Sequence, residues 1–330
     1  MCVVLLSVAC QPLLADTGRD PARLNISIAL FDPGIPEDRS LHRDLQVFPR
    51  VRKIEALYLP FVLHDMLVST RLWGAVRVIP ESDTAAELLV SGTILNSDGE
   101  TLLLRLHVID ASGQVWLDET FRGPQQVLFA RFADSLLAAR NSRDARALNN
   151  IIDISSLRYA QQLAPAAFDA YLEKTAAGQF RIRRLPAESD PMLARIERIR
   201  GVEYVFTDAI DAKFRELSAD IEVVYEVWRQ YRQKFAGYQA QEAERIRNAK
   251  NTAPRGSFEA ISGHYENYKW DRQAAQEQEK WAIGFENEMA PTIGAIEARV
   301  AELRGWVADR YDEWRRILAE LFEIETGLPD

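Results

Sequence analysis

The chain has 330 residues, room for two or three domains, and its 47% hydrophobic and 27% charged content is that of a folded protein. Its formal net charge of −9 argues against nucleic-acid binding, and no apolar stretch reaches the ~18 residues of a membrane-crossing helix. Both cysteines, Cys2 and Cys10, lie in the first ten residues, so the rest of the chain has neither a disulfide framework nor a cysteine-based metal site.

The chain opens Met-Cys-Val-Val-Leu-Leu-Ser-Val-Ala-Cys, an apolar run with small residues before Cys10. This resembles the end of a bacterial lipoprotein signal peptide. In that family a peptidase cuts before a cysteine whose thiol receives a diacylglyceryl group. Leu5, Leu6, Val8, Ala9 and Cys10 fit the pattern. Ser7 departs from it, and a short apolar run without a basic segment before it departs too. A start upstream of Met1 accounts for the short run and the missing basic segment. Unprocessed, the same run reads as a buried first strand or a disordered tail. The resemblance implies lipidation at Cys10, and Gln11 in place of Asp implies the outer membrane. Residues 11–24, with Pro12, Gly18 and Pro21, read as a tether.

Residues 24–140 predict an α/β domain. Asn25–Asp32 is a short apolar strand closed by Pro33-Gly34. Arg50–Leu72 has helical periodicity, with Pro60 predicting a kink or a late start. Ala75–Ile79 and Glu87–Leu95 are further strands. Asp98-Gly99 marks a hairpin turn returning through Thr101–Ile109, and Ala111-Ser-Gly113 leads into Gln114–Phe121. A helix over Pro124–Arg140 completes the order β-α-β-β-β-β-α, which predicts a mixed sheet covered by helices.

This stretch resembles the TolB amino-terminal domain family, whose fold also occurs in CsgG-type and LpoB-type envelope lipoproteins. Gly92, Gly99, Asp110, Gly113 and Trp116 fall where that pattern places them, while Asp32-Pro33 replaces its usual Pro-Phe. The resemblance covers about a third of the chain. It implies a periplasmic protein-binding domain without catalytic residues. The residues themselves read structurally: the glycines as turn positions, Trp116 as a core aromatic.

Residues 141–200 read as a helical connector. Asn141–Asp144 breaks the preceding helix, with Ser142 or Asp144 as the next N-cap. Ala164–Lys174 resembles the segment that opens helical repeats after TolB-like domains, without a 34-residue repeat following it. Arg181, Arg183 and Arg184 read as a solvated basic face.

Residues 201–326 predict a long, coiled-coil-like antiparallel helical hairpin, so the overall class is α+β. One stripe runs Ile210, Phe214, Leu217, Ile221, Val224, Trp228, Tyr231, Phe235, Tyr238; the other runs Ile293, Ile296, Val300, Leu303, Val307, Tyr311, Trp314, Leu318, Leu321. Spacings of three and four line one seam of a helix. Gly201 is the expected start, and Pro291 predicts a kink or break near Glu288–Ala290. Residues 201–330 carry 17 Lys+Arg against 25 Asp+Glu, yet Arg245, Arg247, Lys250 and Arg255 cluster at the predicted tip. That cluster reads either as a docking point for an anionic partner or as a solvated loop. Tyr265, Tyr268 and Trp270 read either as an exposed contact patch or as local packing.

No constellation for catalysis, cofactor or metal emerges. His42, His64, His107 and His264 are scattered, and pairs such as Glu286 and Glu288 belong to an acidic helical surface. His64-Asp65 reads as structural and His107 as exposed on a strand. P-loop, dinucleotide and nucleophile-elbow motifs are missing. The expectation is a non-catalytic, protein-binding or scaffold lipoprotein of the outer membrane. It faces the periplasm, is held by its lipid anchor, and binds another envelope protein. An oligomeric, CsgG-like export subunit is the alternative, and a cell-wall hydrolase ranks third.

Overall fold

The computed structural model describes residues 23–44, 47–79, 85–98, 101–187, 190–252, 280, 284, 287–303, 305–307, 309–310, 313, 316–317, 319–320 and 322–324. The first unit runs β1 (Ile26–Ala29), α1 (Ser40–Asp44), α2 (Pro49–Thr70), β2 (Val76–Ile79), β3 (Leu88–Ser97), β4 (Leu102–Asp110), β5 (Val115–Gly123) and α3 (Gln125–Asn141). Its strands form one sheet in the order β2-β1-β3-β4-β5. β1 is parallel to β2 and β3, pairing Ile26 with both Val76 and Leu88, and β3, β4 and β5 form an antiparallel meander. The parallel pairing of β1 with β2 needs a crossover, which α2 supplies. The expected mixed sheet with helical cover is thus present, preceded by the short α1 that the periodicity did not mark.

Alternation decides which face is covered. Ile26, Ile28, Leu88, Val90, Ile94, Leu104, Leu106 and Val108 point inward and are all but inaccessible. α2 and α3 close over them, bringing Leu59, Leu63, Leu67, Leu128, Phe129, Phe132 and Leu136.

α2 runs without interruption from Pro49 to Thr70, through Pro60 rather than after it. Proline cannot donate to the carbonyl four residues back. That carbonyl, on Ala56, instead accepts from the Phe31 amide at 3.1 Å. The position that weakens the helix therefore joins it to the end of β1.

Asp144 caps α4 (Ala145–Leu163), accepting from the Ala147 amide at 2.8 Å. The next segment departs from expectation. It forms one helical turn, α5 (Pro165–Phe168), then β6 (Leu172–Lys174) paired antiparallel with β7 (Phe180–Ile182). Gly178, at φ 80°, makes the turn, and the Phe180 amide donates to Ser112. These contacts are tertiary, so helical periodicity did not reveal them.

α6 (Pro191–Thr252) is a single helix of 62 residues, roughly 90 Å long. It starts at Pro191, with Asp190 accepting from the Met192 amide, and passes through Gly201 instead of beginning there. One exposed glycine costs a helix about 1 kcal/mol, too little to break one this long. The described residues 287–303 are helical through Pro291, so of the expected kink or break near Glu288–Ala290 there is no break.

The two helical stretches lie antiparallel: Asp220 pairs with Arg299, and Trp306 packs near Phe206 and Lys213. Their seam is shared with the platform. Leu217, Ile221, Val224 and Trp228 meet Ile293, Ile296 and Val300, and all close on Val51, Ile54 and Leu57 of α2. Ile210, Phe214 and Val307 join the main core. The base of the arm is therefore a three-helix layer rather than a hairpin closed on itself, because α2 is apolar on both faces. Among the described residues no helix is long and apolar enough to cross a membrane.

Candidate functional site

Cys10, Arg255, Tyr265, Tyr268 and Trp270 lie outside the described residues. Arg245, Arg247 and Lys250 belong to the last turns of α6, whose path is described although these side chains are not. That path locates them. From its N-terminal part upward, α6 meets Arg77 through Asp208 at 2.5 Å and the Val78 amide through Asp211 at 3.0 Å. Arg215 then binds Asp65 at 2.9 Å, Glu222 accepts from Tyr58 at 3.3 Å, and Trp228 packs on Phe48 at 4.9 Å. Arg232 Nε finally donates to the Asp98 carbonyl at 2.9 Å. α6 thus climbs antiparallel to α2, from the strand starts to the turn between β3 and β4. It continues for a further ~30 Å of helix beyond Arg232.

The junction of arm and platform buries a polar cluster that the sequence reading missed. Glu55 of α2 is almost inaccessible, and Ser97 of β3 donates to its Oε1. Arg52 Nε lies 3.6 Å from Glu55 Oε2, while the same guanidinium donates to the Ile94 carbonyl at 3.2 Å and Asn96 Oδ1 at 3.4 Å. Burial pushes the Glu55 carboxyl up to about 7, against the pull of Arg52, Ser97, Tyr225 and Arg232. Glu55 Oε2 has no hydrogen-bond partner among the described residues, an arrangement a neutral carboxyl tolerates better than a carboxylate. Burial lowers Arg52 and Arg232, and burial with the nearby Glu55 raises Tyr225. Tyr58, burial-shifted and beside Glu222, is pushed up to about 12. In sequence, Arg52 and Glu55 look like an ordinary surface pair three residues apart, and it is the end of β3 together with α6 that encloses them.

Arg52, Glu55, Ser97 and Arg232 are all buried. The chemistry of the cluster is that of a lock: buried polar groups that fit only in one register.

Several other polar groups among the described residues are held by structural contacts. His64 sits 2.8 Å from Asp65 and 3.1 Å from the Val76 carbonyl, with Arg215 alongside. His42 contacts the Pro36 carbonyl at 2.8 Å. The buried Asp110 accepts from the Ser112 and Gln114 amides and, at 2.8 Å, from the Trp116 indole. Arg143 stacks on that indole at 3.9 Å. On the outer face of the sheet, Asp32, Ser91, Thr93, Arg105, His107 and Asp118 line an open groove of about 390 Å³. Arg105 and Asp118 occupy one another there, at 2.7 and 2.8 Å. Among the described residues, no group of three or more His, Cys, Asp or Glu side chains could hold a metal ion.

No family model matches the chain. No curated protein matches it. Among solved structures, a PelC dodecamer from Paraburkholderia phytofirmans is similar at 17% identity, over 37% of this chain and 87% of that one, with a TM-score of 0.21.

Proposed function

We propose that the chain is a non-catalytic scaffold of the cell envelope: an outer-membrane lipoprotein, anchored through Cys10, that offers its helical arm to a periplasmic protein partner. One observation carries this reading. The tether reaches the platform at Arg23, which donates to the Arg71 carbonyl at the C-terminal end of α2. The arm leaves past Arg232, at the opposite end of the sheet. An anchor on one side and a long arm on the other make a spacer that holds its binding end away from the membrane. The shared core of α2, α6 and residues 293–300 gives the arm a rigid base.

Membrane fractionation of native protein and its Cys10→Ala variant, with the mass of the N-terminal peptide, tests the anchor. Lipid on Cys10, and release of the variant, are expected; a soluble, unlipidated native protein overturns it. Changing Arg245, Arg247, Lys250 and Arg255 to Ser tests the arm. Cross-linking to the partner is expected to fall with helicity intact, and unchanged capture removes the tip from the reading.

A further inference from the structure

We propose that the outward face of α6 is a dimer interface, onto which α6 of a second copy of this chain docks antiparallel. The inference goes beyond the scaffold reading and does not depend on lipid at Cys10.

The seam shared with α2 uses one side of α6. A second stripe with the same three-four spacing runs along the other side: Val202, Val205, Ala209 and Ala212, then Glu216, Ala219 and Val223. All of these residues are exposed, Val205 by 68% and Val223 by 66%. Every other exposed residue of α6 between Val202 and Glu226 is charged. Phe214, Ile221 and Val224 lie across the helix from the stripe and are buried in the cores of platform and arm. The stripe therefore faces away from α2, where a second helix can approach it. Trp306 lies along its edge, 6.2 Å from the Phe206 ring and 5.4 Å from Lys213 Nζ, and is itself 36% exposed. The result is an apolar strip ~33 Å long, which a helix that served only the inner seam would not need.

The pattern points to a second copy and gives its direction. Antiparallel pairing centred on Phe214 sets Val205 against the copy's Val223 and Ala209 against the copy's Ala219. It also sets Glu216, the one charge within the stripe, over the copy's Ala212 and beside its Lys213. Two-fold symmetry forms that ion pair twice. Among the described residues Glu216 makes no ion pair in its own chain, and Lys213 rests on the uncharged Trp306 ring. The charges at the rim are paired within the chain: Asp208 with Arg77, Arg215 with Asp65 and Asp211, Asp220 with Arg299, and Glu226 with Arg229. Glu222 accepts from the Tyr58 hydroxyl. Lys213 and Glu216 thus set the register, as flanking charges do in coiled coils. A parallel pair in register would bring Glu216 against its own copy, and facing like charges weaken association.

The test uses the full chain with Cys2→Ser and Cys10→Ser, so that neither lipid nor native thiols contribute. Sedimentation velocity over a concentration series should show a reversible monomer–dimer equilibrium. Glu216→Lys, which turns the ion pair into a repulsion, should weaken the dimer about tenfold or more. Adding Lys213→Glu to it should restore the dimer, with helicity unchanged in both variants. Direction is read by cross-linking. Val205→Cys and Val223→Cys, when mixed, should form a disulfide with each other. Neither should link to itself, because each lies ~27 Å along the helix from its own copy. A monomer at every concentration, a dimer indifferent to Glu216→Lys, no recovery on the charge swap, or self-linking of either cysteine variant overturns the proposal.

Discussion

Arg232 of α6 donates from Nε to the carbonyl of Asp98 at 2.9 Å, joining the arm to the turn between β3 and β4. Its guanidinium also lies 5.6 Å from the Trp228 ring and 5.8 Å from Phe48. Removing a charged donor that is partly buried costs about 1–3 kcal/mol. Arg232→Ala should therefore lower the melting temperature. It should also speed amide exchange in α6 from Tyr225 onward while leaving the sheet protected. Uniform exchange along α6 would show that the arm does not depend on this attachment.

Glu55 gives the junction a pH dependence of definite sign. Its folded pKa, about 7, lies above the ordinary value of 4.5 because burial disfavours the carboxylate. Between those values the folded state holds the extra proton. The stabilisation is full below pH 4.5 and is lost as pH rises through 7, on the order of 3 kcal/mol in all. Asp65 and Asp118, whose pKa values are lowered, act in the opposite sense and at more acidic pH. Glu55→Gln should flatten the fall in melting temperature between pH 5 and pH 8, which thermal scans across that range measure. A variant that keeps the native slope would place the titration elsewhere.

The elements legible in the sequence are those whose cause is local. Alternation in Leu102–Val108 and the Asp98-Gly99 turn announce β3, β4 and their hairpin. The three-four stripe announces α6, and Asp144 announces α4. Where tertiary contacts decide, the same signals mislead. Pro60 reads as a breaker because its neighbour in space, Phe31, cannot be seen from the sequence. Leu172–Lys174 becomes a strand only beside Phe180–Ile182 and the turn at Ser112. Arg52 and Glu55 read as a surface pair until Tyr225 and Arg232 pack over them. The candidate tip was legible as charge alone, and α6 adds its direction.

Asp110 and Trp116 form a unit that residue types alone do not reveal. One carboxylate oxygen holds the turn through the amides of Ser112 and Gln114, and the other holds the indole of Trp116. Asp110→Ala would leave those buried donors unpaired, at about 1–3 kcal/mol each for the groups that water cannot reach. A drop in stability of several kcal/mol is expected in denaturant titration. Trp116→Phe, which keeps an aromatic ring but removes one donor and the fused second ring, should cost clearly less. Equal losses would mean that the ring packing, and not the bond, is what matters.

Gly92 corrects a sequence reading that treated the glycines of this region as turn residues. It lies within β3, on the strand face that meets Phe31, and not in a turn. A Cβ there would come within 2.9 Å of two Phe31 ring atoms and 3.0 Å of Leu106, closer than real Cβ contacts. Phe31 is 4% exposed, and its backbone is fixed by the bond to Ala56, so the ring has little room to withdraw. Overpacking of this kind costs about 1–3 kcal/mol. Gly92→Ala should destabilise by that amount, and adding Phe31→Leu should restore part of it by making space for the new methyl. The pair is measured as a double-mutant cycle in denaturant. Strict additivity would show that Phe31 is not what excludes a side chain at position 92.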